Sequence, residues 1–215
     1  MPCCASDSCA STAGSSSRFR RVLWIALIIN GGMFVAEVIA GMLAGSAALQ
    51  ADALDFFADA TNYAISLFVL GMSVKWRAGA AWVKGASMGV FGLWVMVTVV
   101  WHLAAGSVPH APTMGVIGTL ALIANLICLV LLMAFRDGDA NMRSVWICSR
   151  NDAIANGAVL LAALGVFGTG TGWPDIVVAS LMAVLALQGA ATILRAATLE
   201  WREAGQTEAV PVLRS

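Results

Sequence analysis

The chain contains 215 residues, of which 60% are hydrophobic and only 11% are charged, and its formal net charge at pH 7 is zero. A soluble domain of this length carries about a quarter charged residues, so the composition excludes an ordinary soluble protein and indicates a membrane protein. The balanced charge gives no sign of a nucleic-acid-binding surface. We therefore expect a lipid bilayer, and no nucleic acid, among the partners.

Six apolar segments follow one another along the chain, separated by short polar stretches such as "KWRAGAAWVK" between the second and the third. Each segment is longer than the about 20 residues that an α-helix needs to cross about 30 Å of hydrocarbon. The polar stretches leave no room for a soluble domain between the segments. The sequence therefore predicts an all-α integral membrane protein with six transmembrane helices at residues 20–44, 48–74, 84–106, 113–135, 141–168 and 173–198.

Lysine and arginine residues lie on one side of these predicted helices. They precede helix one, lie between helices two and three and between helices four and five, and follow or close helix six, whereas the other three connections contain none. Because basic loops are retained in the cytoplasm, both chain termini are predicted to be cytoplasmic. The compact form favours a bacterial inner membrane as the location. The predicted organisation is residues 1–17 as a disordered cytoplasmic tail, 18–198 as the transmembrane domain and 199–215 as a short cytoplasmic tail.

The N-terminal tail is small, polar and rich in cysteine, which is typical of a disordered segment. Its thiols belong to Cys3, Cys4 and Cys9, and they face a reducing cytosol, which argues against a disulfide framework. Two interpretations stay open for these thiols. They capture a soft metal ion before transport, or they are residues of a disordered arm without chemistry.

Three aspartates interrupt the apolar character of the second helix. Asp52, Asp55 and Asp59 share one helical face because they are spaced i, i+3 and i+7. An ionised aspartate near the centre of a membrane helix costs about 2.5–3.5 kcal/mol on insertion. This face must therefore point toward other helices or water, and such residues commonly mark a functional site.

Helix five carries a second polar face, formed by Cys148 and Asp152 at i, i+4, and Asn156 continues it by one turn. At a rise of 1.5 Å per residue, Asp59 and Asp152 each lie roughly 15 Å from the membrane surface at which their antiparallel helices enter. Transporters commonly hold their substrates at this depth. The sequence therefore predicts that two pairs meet near the midplane, Asp55 with Asp59 and Cys148 with Asp152.

Three carboxylates and one thiol in a low-dielectric interior require neutralisation by protons or by a cation. Four ligands on two helices suit a tetrahedral divalent ion such as Zn²⁺, and metal entry would expel the protons. The alternative is that these groups are polar contacts between helices. Glu37 in helix one is interpreted as a proton relay or a structural acid rather than a ligand. Asp52 either attracts cations at the outer entrance of the transport path or is a structural partner of another side chain.

These residues resemble the cation diffusion facilitator family of metal transporters. The matching stretch begins "NGGMFVAEVIAGMLAGSAALQADALDFFAD" and resumes at Asn125 and "NMRSVWICSRND", so the resemblance covers roughly residues 20–198. The family's usual histidines are absent, and a thiolate at Cys148 favours Zn²⁺ or Cd²⁺ over Mn²⁺ or Mg²⁺. The resemblance implies one metal-binding pair on each of helices two and five, here Asp55 with Asp59 and Cys148 with Asp152.

The resemblance implies a secondary transporter that exports divalent transition metals by proton antiport, with the metal as substrate and no further cofactor. The family often carries a cytoplasmic domain after helix six, so the sequence is interpreted as a short form whose homodimer would use the transmembrane helices. The alternatives are a soft-metal importer with the cysteine tail as receptor, and a metal-binding sensor or accessory subunit without turnover. An enzyme is not expected, because no nucleophile–base constellation is visible.

Overall fold

The computed structural model describes residues 17–68, 73–135 and 140–209, without the side chains of residues 140–148, 151 and 205–209. Across these ranges the chain forms helices and no strand, which confirms the all-α prediction. The six helices are α1 (Ser17–Ala44), α2 (Ala47–Phe68), α3 (Val74–Ala105), α4 (Ala111–Met133), α5 (Ala140–Thr169) and α6 (Trp173–Ala209).

Five of the six helices contain a stretch that is long and apolar enough to cross a membrane, and α2 is the exception among the described residues. Its three aspartates account for this difference, because they leave no sufficiently uncharged stretch in its 22 residues. The five other helices present large apolar side chains outward, such as Leu43 (83% exposed) and Phe167 (77% exposed), as expected for lipid contact. Six helices are thus confirmed, and six membrane crossings stay a prediction.

Two predicted boundaries differ from the structure. The segment "KWRAGAAWVK" was predicted as a loop, but α3 begins at Val74 and includes it, because its alanine, lysine and arginine residues are strong helix formers. Lys84, assigned to that loop, is instead buried (3% exposed) and donates a hydrogen bond to Asn62 of α2. Likewise α6 continues to Ala209, past the predicted end at residue 198. In both cases the helix is longer than the apolar stretch from which the transmembrane segment was predicted.

The acidic helix α2 lies at the centre of the bundle. It contacts every one of the five other helices, while α3 lies along α6 and α4 lies along α5. Twelve of its 22 residues are buried, which is more than half. The surrounding helices therefore shield α2 from lipid, and this position makes its polar residues tolerable.

Three tight connections define one end of the bundle, which we call the glycine-turn end. Each contains a glycine with left-handed backbone, Gly45 (φ +62°), Gly106 (φ +61°) or Gly170 (φ +65°), a conformation that other residues rarely adopt. The backbone N–H of His110 donates to the carbonyl of Ala44 (2.9 Å), which links two of these connections. We call the opposite end, where α1 begins and α6 ends, the terminal end.

Apolar clusters lie at both ends of the interior, and the buried acids lie between them beside two further apolar clusters around Leu54 and Phe56. The cluster at the glycine-turn end includes Leu49, Met114 and Val166. The cluster at the terminal end consists of Phe19, Val22, Leu23, Ala26, Tyr63, Cys128 and Leu132. Along α1 and α2, the buried acids lie between the positions that contribute to these two clusters.

Candidate functional site

Two hydrogen-bonded bridges join α2 to α5. In the bridge nearer the glycine-turn end, Nδ2 of Asn156 donates to Oδ1 of Asp52 (3.0 Å) and also to the backbone carbonyl of Asp152 (3.1 Å). Asn156 and Asp52 are both fully buried. A hydrogen bond to a carboxylate is stronger than one between neutral groups, so this bridge ties the two helices firmly together.

The second bridge lies nearer the terminal end and runs through Tyr63. Its hydroxyl donates to Oδ2 of Asp59 (3.1 Å) and lies 3.1 Å from Oγ of Ser149 on α5. All three side chains are buried. The Tyr63 hydroxyl also interacts electrostatically with Asp152. One phenol group therefore connects an aspartate of α2 with α5.

The two bridges fix the register between α2 and α5. Along α2, Asp59 lies between the two bridging residues, and along α5, Asp152 lies between the two bridging residues. Each of these aspartates is also about 18 Å from the first residue of its own helix. Asp59 and Asp152 therefore lie at similar heights in an antiparallel pair of helices.

The predicted four-residue metal site includes Cys148, whose side chain lies outside the described part of the structure. Among the side chains that are described, no group of three or more His, Cys, Asp or Glu residues could hold a metal ion. The ligand set of Asp55, Asp59, Cys148 and Asp152 therefore stays a prediction. The tail residues Cys3, Cys4 and Cys9 also lie outside the described residues.

Glu37 of α1 faces the acids of α2. Its carboxyl group is fully buried and interacts electrostatically with Asp52 and Asp55. The Glu37 and Asp52 side chains also share a hydrogen bond. Three acids from two helices thus interact with one another, and neighbouring buried acids cannot all remain ionised.

The polar interior contains more acceptors than donors. Buried side-chain oxygens without a hydrogen-bond partner occur on Asn30, Asn125 and Asn156, and the buried Glu37 and Asp52 carboxyl groups bond to each other, whereas no buried side-chain nitrogen of the described residues lacks a partner. An unsatisfied buried acceptor costs about 1–3 kcal/mol. Protons, water or a cation can satisfy these oxygens, so the arrangement is suited to binding positive charge.

Comparison with known proteins decides the family. Residues 23–200 match the model of the cation efflux transmembrane domain. The chain belongs to the cation efflux family. The predicted resemblance to the cation diffusion facilitators is thereby confirmed.

This cation efflux protein is similar to several characterised relatives. It is 24% identical to the cadmium, cobalt and zinc/H(+)-K(+) antiporter of Bacillus subtilis, over 79% of this chain and 59% of that protein. It is 25% identical to the metal cation efflux system protein CzcD of Cupriavidus metallidurans, over 78% of this chain and 57% of that protein. It is 26% identical to the zinc transporter ZitB of Yersinia pestis, over 92% of this chain and 68% of that protein. The chain thus spans about three fifths of the length of the first two relatives.

An acid of α6 caps the N-terminus of α2 in this cation efflux protein. Asp175 accepts hydrogen bonds from Oγ of Ser46 (2.6 Å), from N–H of Ala47 (2.9 Å) and from N–H of Ala48 (3.1 Å). Oγ of Ser46 in turn accepts from N–H of Leu49 (3.1 Å), as an N-cap serine does. A carboxylate at a helix N-terminus also interacts favourably with the helix dipole. This cap joins the first turns of α2 and α6.

Sequence reasoning did not select Tyr63, Ser149 or Asp175. A signal existed for Tyr63, which is the single tyrosine of the chain and follows Asp59 by one helical turn on the same face. The roles of Ser149 and Asp175 depend on contacts with a distant helix, for which no local pattern exists. Arg150 follows Cys148 by two positions, a spacing that places it on the opposite side of α5 and predicts that it points away from the site, and its side chain is exposed.

Proposed function

We propose that this protein is a secondary transporter of divalent transition-metal cations, Zn²⁺ or Cd²⁺, that exports them by proton antiport. The observation that carries the proposal is the excess of buried oxygen acceptors around the acids of α1, α2 and α5. Such an interior favours the binding of positive charge. The names of the relatives support the substrate class, since they specify cadmium, cobalt and zinc, and the Bacillus subtilis relative is named as an antiporter with H(+) and K(+).

The proposed metal ligands are two pairs, Asp55 with Asp59 on α2 and Cys148 with Asp152 on α5. The bridges on either side of Asp59 and Asp152 support this assignment, because they bring the two helices together at the corresponding height. Two carboxylate-bearing helices and a thiol suit tetrahedral Zn²⁺ or Cd²⁺. Residues from facing helices can separate when the helices move, so such a site can release its ion.

Proton coupling follows from the same charges. When the metal leaves, neighbouring carboxylates cannot all remain ionised in a buried site, so protons replace the metal. When the next metal enters, these protons are expelled. Glu37 and Asp52 are the proposed proton relay, because their buried carboxyl groups interact and share a hydrogen bond along which a proton can pass. Asn156 holds Asp52 in place within this path.

The proposed topology has six membrane crossings, with both termini in the cytoplasm of a bacterium and the protein in its inner membrane. The central position of α2 supports the sixth crossing, since the five other helices all contact it. The three connections that contain no lysine or arginine would then lie on the outer side of the membrane. A homodimer would form through the outward apolar faces of the helices.

The experiment uses purified protein in liposomes that contain a pH-sensitive dye, with Zn²⁺ and then Cd²⁺ added outside. The expected result is a metal-driven change of internal pH that disappears in Asp59→Asn and in Asp152→Asn. The control is Glu203→Gln, which removes an exposed carboxylate of α6 and should leave the signal unchanged. Loss of the signal in the control, or its persistence in Asp152→Asn, would contradict the proposed site.

The alternatives are separated by related measurements. Metal binding without any pH change in the wild type would favour a sensor or accessory subunit. Inward flux would favour an importer, and deletion of residues 1–12 would then raise the half-saturation concentration if the tail cysteines act as the receptor. An unchanged half-saturation concentration would show that the tail is dispensable.

A further inference from the structure

The ring of Tyr63 is fixed by the apolar cluster at the terminal end. It packs in this cluster with Phe19, Leu23, Cys128 and Leu132 and is only 2% exposed. A buried tyrosine hydroxyl normally requires a hydrogen-bond partner. The packing of the ring therefore determines where the hydroxyl lies, and the hydroxyl in turn orients whatever it binds.

The hydroxyl of Tyr63 has a single proton, and Oδ2 of Asp59 accepts it. The phenol oxygen can then accept the proton of Ser149, whose Oγ lies 3.1 Å away. The result is a directional chain from Ser149 through Tyr63 to Asp59. Hydrogen bonds are stronger in a low-dielectric interior, so this chain restrains the plane of the Asp59 carboxylate.

We propose that Tyr63 is a positioning residue of the metal site, which orients the Asp59 carboxylate and holds it at the height of Asp152 through its bond to Ser149. This inference rests on the proposed function, in which both aspartates bind the transported metal. Groups that hydrogen-bond to ligating carboxylates fix ligand geometry and raise metal affinity. The Tyr63 ring does not touch the metal in this arrangement and acts through Asp59.

The two bridges between α2 and α5 differ in what they contact. The Asn156 bridge binds Asp52, which is not one of the proposed ligands. The Tyr63 bridge binds Asp59 itself. Loss of the Tyr63 hydroxyl is therefore expected to change metal affinity directly, while its aromatic ring continues to fill the apolar cluster.

The test compares Tyr63→Phe with wild type and with Ser180→Ala. Phenylalanine removes the hydroxyl only, whereas Ser180→Ala removes a hydroxyl that bonds within α6, to the carbonyl of Ile176 (2.7 Å). We expect Tyr63→Phe to weaken Zn²⁺ binding by detergent-solubilised protein, and to raise the half-saturation concentration for flux, by about tenfold. Ser180→Ala should change neither the Zn²⁺ affinity nor the half-saturation concentration. When Tyr63→Phe is already present, Ser149→Ala should cause little further loss of Zn²⁺ affinity. An unchanged Zn²⁺ affinity in Tyr63→Phe would overturn the proposal.

A second measurement uses the fact that Tyr63 is the single tyrosine of the chain. Tyrosine labelled with ¹³C at Cζ alone gives one NMR resonance, which should shift in Ser149→Ala without metal and in wild type on addition of Zn²⁺. A resonance whose chemical shift does not change when Zn²⁺ binds would overturn the proposed role of Tyr63. The two proposals can fail separately. If the wild type binds Zn²⁺ but shows no flux, the transport proposal is contradicted. The Zn²⁺ affinity of Tyr63→Phe still tests the role of Tyr63 in that case. A wild type that binds neither Zn²⁺ nor Cd²⁺ overturns both.

Discussion

Asn156 of α5 donates its side-chain amide to Asp52 of α2 over 3.0 Å and satisfies one of the two carboxyl oxygens. The same buried carboxyl group also shares a hydrogen bond with Glu37 of α1. One side of the carboxyl group thus holds two helices together, and the other side is suited to accept a proton. A single acid can therefore serve structure and proton transfer simultaneously.

Replacement of Asn156 by leucine should destabilise the bundle. The change removes the donor to Asp52 and leaves a buried acceptor unsatisfied, so the free energy of unfolding should fall by about 1–3 kcal/mol. Unfolding by denaturing detergent, followed by circular dichroism, measures this difference. Thr192→Val is the control, because its exposed hydroxyl bonds to a carbonyl of its own helix. Equal stability of both variants would contradict the structural role of the bridge.

The cap formed by Asp175 predicts that two variants lose different amounts of stability. Asp175→Ala removes acceptors for three hydrogen bonds at the N-terminus of α2 and should cost about 1.5–3 kcal/mol or more of unfolding free energy. Ser46→Ala removes one cap and should cost about 0.5–2 kcal/mol. The same unfolding assay applies, and the reverse order of the two losses would be inconsistent with a cap centred on Asp175.

Gly41 and Gly31 form a matched pair in α1. A Cβ atom at Gly41 would lie 2.9 Å from Cγ and 3.2 Å from the backbone N of Gln50, whereas one at Gly31 would meet nothing within 4 Å. Gly41→Ala should therefore force α1 and α2 apart and cost about 1–3 kcal/mol. Gly31→Ala should be neutral or slightly stabilising, because alanine favours helices. Thermal unfolding of both variants tests the close contact, which a stable Gly41→Ala protein would refute.

Cys148 predicts a change of ion preference. If its thiolate is a ligand, Cys148→Ser should weaken Cd²⁺ binding by at least about tenfold and affect Zn²⁺ less, because an oxygen ligand is harder than sulfur. Competition between the two ions in the liposome assay measures the ratio of their half-saturation concentrations. Ser180→Ala, which removes a hydroxyl bonded within α6, is the control. A ratio in Cys148→Ser equal to that of the wild type would exclude Cys148 from the ligand set.

The sequence was sufficient to predict what depends on local pattern. The spacing of Asp52, Asp55 and Asp59 predicted an inward-facing acidic stripe, and the structure buries Asp52 and Asp59 between helices. Hydropathy predicted the number of helices but placed the start of α3 ten residues late, since it detects the apolar stretch and not the helix that extends beyond it. The burial of Lys84 against Asn62 was missed because counting basic residues says nothing about their partners.

Contacts between distant residues were beyond this reasoning. Tyr63 and Ser149 are separated by 86 positions, and Ser46 and Asp175 by 129. Such pairs depend on how the helices assemble. A single sequence, taken alone, contains no direct record of which distant residues come together. The burial of Asp52 and Asp59 and the polar face of Asn156 were therefore predicted, whereas the contacts made by Tyr63, Ser149 and Asp175 were not.

The central position of α2 also bears on how the protein is made. During synthesis α2 leaves the ribosome before α3, α4, α5 and α6, yet it contacts all four of them in the finished bundle. Its aspartates make it the least suited of the six helices to enter the membrane alone. The bonds of Asn156 to Asp52 and of Asp175 to Ser46 can form only after α5 and α6 have emerged from the ribosome. The partners that α2 has in the finished bundle are therefore still missing when α2 itself is synthesised.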